Sequence, residues 1–288
     1  VLDSDGQIRI DNLFTRATGR EPVILPGMTP TTSDVDIVAA AANGGFVAEL
    51  AGGGQVNEEI FWERMQEMRE KLGLGQSFVF NALYLDRYLW NLHFGADGLV
   101  IRAKRAGYPI SGVTVSAGIP EVGEAVDLLD RFNAEGIWLN AFKPGSLAQV
   151  KSVVAIAEAA PQHTVFMHLE GGRAGGHHSW ECLEELLLDT YHLVRACPNI
   201  VLCVGGGIGS EERCVELLSG RWARKHGMID MPVDAAFLGT ICMASAEAKT
   251  SPQVKAALVG ARGTGSWVYT GASAGGLTSG KSQLNADI

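Results

Sequence analysis

The chain has 288 residues, of which 47% are hydrophobic and 19% charged, and its formal net charge is −9. This balance is typical of a globular protein, and it disfavours binding to nucleic acid or to an anionic membrane through a general positive field. No apolar run reaches the roughly 18 residues that a membrane-spanning helix needs. The cysteines are odd in number and lack CxxC spacing, so we expect reduced thiols in a cytoplasmic protein and no metal site.

Short apolar runs recur along the chain and predict buried strands. The runs are nearly continuous in their apolar character, as expected of parallel strands that are covered on both faces. Most of them end in glycine or in a small polar residue. In chain order they are PVILPG (22–27), GFVAELAGG (45–53), SFVFNAL (77–83), SGVTVSAG (111–118), GIWLNAF (136–142), HTVFMHLEGG (163–172), NIVLCVGGG (199–207) and AAFLGT (235–240).

Segments with helical spacing of apolar residues separate most of these runs. Several begin at a capping residue or end at glycine or before proline. Repeated alternation of strand and helix predicts an α/β fold with parallel strands, and the number of repeats fits a closed (β/α)₈ TIM barrel. A doubly wound open sheet is the alternative, but the chain lacks its glycine fingerprint after the first strand. The helical segments lie at 31–45, 119–136, 146–162, 179–199 and 210–227.

The domain organisation follows from the positions of these elements. We predict an N-terminal linker or extension over residues 1–20, a barrel over 21–260 with an insertion at 84–109, and a C-terminal segment over 261–288 that leads into a neighbouring domain. A loop as long as the insertion usually has structure of its own or a function. The chain begins with Val1 and ends abruptly, which favours a segment of a larger protein.

The ends of the strands carry the candidate site, because active sites of such barrels lie at the C-terminal ends of the strands. Small residues follow most strands and form a rim on which a planar group could lie. VGGGIGS (204–210) follows strand seven and FLGTICMAS (237–245) follows strand eight, and each opens a helix. Backbone amides at a helix N-terminus attract anions. This pairing predicts a ligand with a phosphate; tight turns without a ligand are the alternative.

Three side chains at the rim could carry chemistry. His177 and His178 follow Gly175 and Gly176 beyond strand six, and an imidazole can give or take a proton near neutral pH. If this pair is extended, at most one ring faces the ligand. Lys143 follows strand five and could hold negative charge on a cofactor or substrate, form a Schiff base, or simply be solvated before a turn.

Four stretches resemble the enoyl reductase domain of type I fatty acid synthases of the fungal and mycobacterial kind: PVILPGMTPTT, EGGRAGGHHSWECLEE, VGGGIGSEE and FLGTICMASAEAKTSPQVKAALV. More distantly, they are similar to flavin-dependent bacterial enoyl reductases and to nitronate monooxygenases. The resemblance implies an FMN-binding barrel that reduces a trans-2-enoyl thioester, bound to a carrier protein, with NADPH. It also implies a cytoplasmic multifunctional synthase, a large homo-oligomer, in which other domains are partners.

The resemblance also implies roles for individual residues. His177 would be the proton donor or would orient the thioester carbonyl, although His178 is an alternative for the active ring. Lys143 would lie with Asn81 at the polar edge of the flavin ring. The remaining cofactor residues are Gly27, Met28 and Thr29 under the ring, Gly175 and Gly176 at the active site, and Gly206, Gly207, Gly209, Gly239 and Thr240 at the phosphate.

Three other functions remain open at this point. A nitronate monooxygenase-type flavin oxidase would use the same flavin site with oxygen as oxidant. A phosphate-binding barrel without FMN would use Lys143 as a Schiff-base lysine. A barrel that had lost its chemistry would serve as a scaffold within a larger synthase, which the intact rim disfavours.

Overall fold

Parallel strands close into one barrel in the computed structural model, which describes residues 6, 9–96, 98–175 and 181–261 and the backbone of two short strands near the C-terminus. Each strand pairs with the next, and β8 pairs with β1. This topology confirms the predicted (β/α)₈ TIM barrel, and each predicted apolar run overlaps one strand. The strands are β1 Val23–Leu25, β2 Val47–Ala51, β3 Phe78–Leu83, β4 Ile110–Ser116, β5 Leu139–Phe142, β6 Val165–Glu170, β7 Ile200–Gly205 and β8 Ala235–Phe237.

Helices surround the barrel, and several of them begin at a capping residue. Ser146 and Ser210, for example, accept hydrogen bonds from backbone amides in the first turns of the helices that follow them. The helix after β2 was not among the predicted segments. The described helices are α1 Leu13–Thr18, α2 Val35–Asn43, α3 Glu58–Lys71, α4 Arg87–Phe94, α5 Leu99–Arg105, α6 Val122–Ala134, α7 Leu147–Ala159, α8 Leu183–Ala196, α9 Glu211–Ser219 and α10 Pro252–Gly260.

Alternation along each strand divides the core into two parts. In β6, Val165, Met167 and Leu169 belong to the large cluster that packs against the helices, whereas Phe166 belongs to the cluster inside the barrel. Because side chains alternate across a strand, His168 and Glu170 also face the interior. The barrel interior is therefore apolar toward the N-terminal ends of the strands. Its polar residues lie toward the C-terminal ends.

The N-terminal segment contributes to the barrel core. Asn12 caps α1, and its side-chain amide also donates to the backbone oxygen of Asp234 at 2.8 Å. Phe14 is completely buried in the interior cluster and meets Phe166 edge-on, with ring centroids 6.2 Å apart. Part of the segment that we expected to be a linker thus packs against the N-terminal end of the barrel.

The insertion after β3 forms α4 and α5 and supports the rim. The ring of His93 is buried, and its Nε2 donates to the backbone oxygen of Gln55 at 2.9 Å. The side-chain amide of Gln55 in turn donates to the backbone oxygen of Ala51 at 3.2 Å, at the end of β2. In α5, Arg102 contacts Glu58 at 2.7 Å, so this basic residue of the insertion is paired within the chain.

The burial of His93 predicts a loss of stability in mild acid. Desolvation, which outweighs the opposing hydrogen bond to Gln55, lowers the pKa of His93 to about 4 from 6.5. Below pH 6.5 this histidine binds a proton in the unfolded chain but stays neutral in the folded chain. The free energy of unfolding therefore falls as the pH drops toward 4. From pH 7 to pH 5 this group alone should cost about 2 kcal/mol of unfolding free energy.

Urea unfolding at the two pH values measures this effect. His93→Gln should have a smaller pH dependence than the wild type, even if it is less stable at pH 7. His192→Gln is the control, because His192 is exposed on α8. An unchanged pH dependence in His93→Gln would assign the acid sensitivity to other groups.

None of the helices in the described part of the chain is long and apolar enough to cross a membrane. Near the C-terminus, β9 (Ser273–Ala274) and β10 (Leu277–Thr278) pair as an antiparallel ladder. The backbone of these two strands is the only described part of the chain beyond Ala261.

Candidate active site

A buried carboxylate lies at the centre of the polar part of the barrel interior. Glu49 is only 1% exposed on β2. Its Oε2 accepts hydrogen bonds from the backbone amide of Gly27 at 2.6 Å and from Nδ2 of Asn81 at 2.7 Å. Its Oε1 accepts from the hydroxyl of Thr114 at 2.7 Å and lies 3.3 Å from Nδ1 of His168. One side chain thus connects β1, β2, β3, β4 and β6.

These partners keep Glu49 ionised. Burial raises the pKa of its carboxyl, but the hydrogen bond and charge of His168, the charge of Lys143 and the hydroxyl of Thr114 together outweigh burial. The pKa is held at about 2, below the usual 4.5. A buried carboxylate with this set of donors is the expected way to retain a charge inside a protein.

Asn81, which the sequence analysis predicted at the flavin edge, lies directly above Glu49 in this network. Its Nδ2 donates to Glu49, and its Oδ1 accepts from the hydroxyl of Ser116 at 2.8 Å. Asn81 is 5% exposed. The contact with Glu49 fixes the orientation of this side-chain amide, because a flip would place its oxygen against the carboxylate.

Lys143 lies beyond β5 and pairs with Glu170 at the end of β6. Nζ of Lys143 is 3.0 Å from Oε1 of Glu170, and both side chains are nearly buried. The ammonium also lies 5.6 Å from the centre of the Phe237 ring. A lysine in a close ion pair is a fixed cation that can hold a negative charge, whereas a Schiff-base lysine must react as the neutral amine.

His168 is a second interior histidine, and the sequence analysis did not select it. Its ring is 1% exposed and lies against the ring of Phe237, with centroids 5.6 Å apart. While Nδ1 faces Glu49, Nε2 is buried without a hydrogen-bond partner among the described residues. Glu49 and His168 are each a polar residue within an apolar strand. That pattern was the signal in the sequence that could have pointed to these two residues.

Some rim glycines are required by packing within the protein. A Cβ at Gly27 would lie 2.6 Å from the side chain of Asn81, and one at Gly205 would lie 1.9 Å from the ring of Phe237. By contrast, a Cβ at Gly209 would meet no atom within 4 Å. The glycines of the rim therefore fall into two groups, and only the open positions are free for a ligand.

The tips of β7 and β8 lie side by side. Cys203 and Val204 pair with the first residues of β8, which brings the glycines after β7 next to the end of β8. Gly206 and Gly207 have φ of +100° and +76°, which a side chain would disfavour. Among the described residues, no backbone oxygen accepts from the amides of Gly206, Gly207 or Gly209.

These amides lie just before α9, whose N-terminus is capped by the side chain of Ser210 and followed by two acidic residues. The hydroxyl of Ser210 accepts from the amide of Arg213, and Glu211 and Glu212 follow the cap. An anion would thus meet the loop amides rather than the helix itself. The exposed Arg173, another residue that the sequence analysis did not select, lies against this loop: its Cβ is 3.0 Å from the position that a Cβ of Gly207 would take.

The other predicted cofactor residues lie on the same rim. A Cβ at Gly239 would be 3.4 Å from Sδ of Met28, which joins the loops after β8 and β1. A Cβ at Gly175 would be 4.0 Å from Oγ1 of Thr240. Thr29 and Thr240 are exposed. The predicted residues Gly176, His177 and His178 lie outside the described residues.

Comparison with known proteins identifies relatives of the whole chain. Residues 164–288 match the family model described as fatty acid synthase subunit beta/Fas1-like, helical. The fatty acid synthase beta subunit hexB of Dothistroma septosporum is 36% identical over 267 residues, which cover 92% of this chain and 14% of that relative. This chain is homologous to a segment of fungal fatty acid synthase beta subunits.

Solved structures show the same fold at low identity. The enoyl reductase domain of MlnA from Bacillus amyloliquefaciens superposes with a TM-score of 0.63 at 14% identity, over 87% of this chain and 60% of that one. Nitroalkane oxidase from Streptomyces ansochromogenes superposes with a TM-score of 0.56 at 21% identity, over 85% of this chain and 72% of that one. The fatty acid synthase homologue agrees with the resemblance found in the sequence, and the two solved structures agree with the predicted barrel fold.

Proposed function

We propose that this chain is an FMN-dependent enoyl reductase that uses NADPH to reduce a trans-2-enoyl thioester, carried by an acyl carrier protein, in fatty acid synthesis. The observation that carries the proposal is the barrel mouth: loop amides at the tip of β7, for which the described residues offer no backbone acceptor, lie beside β8, and Asn81 and Lys143 lie near the ionised Glu49. The homology to fatty acid synthase beta subunits supports the place of this reaction in fatty acid synthesis.

The residues of the mouth fit FMN in their donor chemistry. The loop amides of Gly206, Gly207 and Gly209, with Gly239 and Thr240 of the next loop, would hold the phosphate, and Arg173 would add positive charge. Asn81 and Lys143 would face the polar edge of the ring, above Gly27, Met28 and Thr29. When bound, FMN would supply hydride transfer from NADPH to the β-carbon of the enoyl group.

The chain itself would supply position and charge. Lys143 is a cation already fixed by Glu170, so it can stabilise negative charge in the mouth without reorganisation. His177 would stabilise the thioester oxygen or protonate the α-carbon, with His178 as the alternative ring. The open glycines of the rim, such as Gly209, would leave backbone rather than side chains next to the bound ligand.

The partners follow from the homology and remain part of the proposal. The chain spans 14% of the length of the matched beta subunit, so the other domains of such a synthase would surround it. We propose an acyl carrier protein as the donor of the enoyl group, a large homo-oligomeric assembly, and a cytoplasmic location. We expect no nucleic-acid partner, because the net charge is −9.

Anaerobic titration tests the function. NADPH should bleach the flavin absorbance of the purified chain, and crotonyl thioester should restore it. A bleached flavin that only oxygen restores would favour the nitronate monooxygenase-type oxidase, and a chain without flavin would favour the phosphate-binding barrel or the scaffold.

His177→Ala tests the predicted proton donor. The variant should bind FMN and accept electrons from NADPH, but it should reduce the enoyl thioester about 100-fold more slowly or worse, because a positioned acid contributes that much. His178→Ala is the matched variant and should stay near wild-type activity. The opposite result would assign the role to His178, and two active variants would exclude both rings.

A further inference from the structure

Glu49 holds the floor of the barrel mouth, by which we mean the side chain of Asn81 and the backbone at Gly27. Its two oxygens receive hydrogen bonds from groups on the loop after β1 and on strands β3, β4 and β6. It touches no solvent, because it is 1% exposed. A ligand in the mouth would therefore meet the groups that Glu49 holds rather than Glu49 itself.

Asn81 is the group most firmly held. With Nδ2 donating to Glu49 and Oδ1 accepting from Ser116, one hydrogen of Nδ2 remains, and it has no acceptor among the described residues. Gly27 lets the side chain of Asn81 sit against the backbone, because a Cβ at position 27 would lie 2.7 Å from Nδ2. The amide of Gly27 donates to the same carboxylate oxygen.

A carboxylate is the only side chain of this length that can accept from all of these donors at once. The amide of Gly27 and Nδ2 of Asn81 can only donate, so the oxygen that faces them cannot become an NH₂ group. A glutamine at position 49 would instead place its NH₂ group against the hydroxyl of Thr114, which can accept, and against Nδ1 of His168, which could no longer donate to this position. Replacing Glu49 with glutamine removes the charge and weakens the hold on the floor.

We propose that Glu49 is a positioning residue for ring binding: from beneath the floor it fixes Asn81 and the Gly27 amide, so that the remaining Asn81 N–H is presented to an acceptor of the flavin ring. The inference rests on the proposed function, because it names the ring as the ligand of this floor. It assigns to Glu49 an effect that passes through Asn81 and not through contact with the ligand.

A double-mutant cycle on the FMN dissociation constant tests this claim. Glu49→Gln and Asn81→Ala should each weaken FMN binding about tenfold, the usual effect of one lost or misdirected hydrogen bond at a buried site. Because Glu49 acts on the ring only through Asn81, the double variant should be no weaker than Asn81→Ala, about tenfold below wild type and not about 100-fold. The reduction potential of bound FMN should shift in the same direction in both single variants.

Asp234→Asn controls for a general loss of stability. Asp234 is also a buried carboxylate; it accepts from the amide of Leu202 at 2.8 Å and pairs with Arg195, but it lies at the start of β8, away from the mouth. This variant should lose stability and keep the FMN dissociation constant within about twofold. Glu49→Asp, which keeps the charge but is one methylene shorter, replaces Glu49→Gln if that variant does not fold.

The outcomes separate this inference from the proposed function. A wild-type chain that binds FMN, together with a Glu49→Gln variant of equal affinity and potential, overturns the positioning role alone. A double variant whose loss of FMN affinity equals the product of the two single losses also overturns it. Weaker FMN binding in Asp234→Asn does so too. A wild-type chain that binds no FMN overturns the proposed function and this role together.

Discussion

Replacing Phe14 with alanine is expected to lower the free energy of unfolding by about 3–5 kcal/mol, the usual cost of removing a fully buried phenylalanine. The ring is inside the barrel, in the same cluster as Ile24 and Phe166. Its loss would leave a cavity at the N-terminal end, where the short α1 cannot rearrange to fill it. Urea unfolding monitored by far-ultraviolet circular dichroism measures the change.

Leu13→Ala is the matched control, because Leu13 lies on the same helix but is 37% exposed. Its cost should stay below about 1 kcal/mol. Both variants should bind FMN as the wild type does, since the mouth lies at the other end of the strands. A Phe14→Ala variant of wild-type stability would mean that residues 1–20 are a linker after all.

The strands could be predicted because each is a nearly continuous apolar run, and a parallel barrel buries both faces of its strands. The helix α3 was missed although its signal was present. Asn57 caps it, and Phe61, Met65 and Met68 recur at helical spacing among charged residues. The charged residues of its outer face lower the overall hydropathy, so only the periodicity indicates the helix.

The polar centre of the site could not be placed from the sequence. Glu49 within VAELA and His168 within VFMHLE stand out as polar residues in apolar strands. A strand in a parallel barrel does not show by its own pattern which face points inward, because both faces are apolar. Only the closed barrel shows that β2 and β6 direct these two side chains at each other.

For the glycines of the rim the sequence shows the positions but not the role of each residue. Their positions after the strands indicate a rim, but the sequence could not separate a glycine that makes room for a ligand from one that makes room for a neighbouring side chain. Gly209 is open, whereas Gly27 and Gly205 are filled from within the protein by Asn81 and Phe237. The flat floor is therefore built partly by side chains that pack against glycine.

Gly205→Ala should be the most damaging of the small substitutions at the rim. Its Cβ would lie 1.9 Å from the Phe237 ring, which is itself 3% exposed. The centre of this ring lies 5.6 Å from the ring centre of His168 and 5.6 Å from Nζ of Lys143. The ring cannot move aside without displacing these two side chains. We expect a loss of about 3 kcal/mol or more in unfolding free energy, at the upper end for overpacked cores, and weaker FMN binding because the ends of β7 and β8 must separate.

Gly123→Ala on α6, where a Cβ meets nothing within 4 Å, should leave stability unchanged or raise it by up to about 1 kcal/mol. If Gly205→Ala instead kept wild-type stability, Phe237 would have another place to pack, and the glycine would not be what sets the distance between the two strand tips.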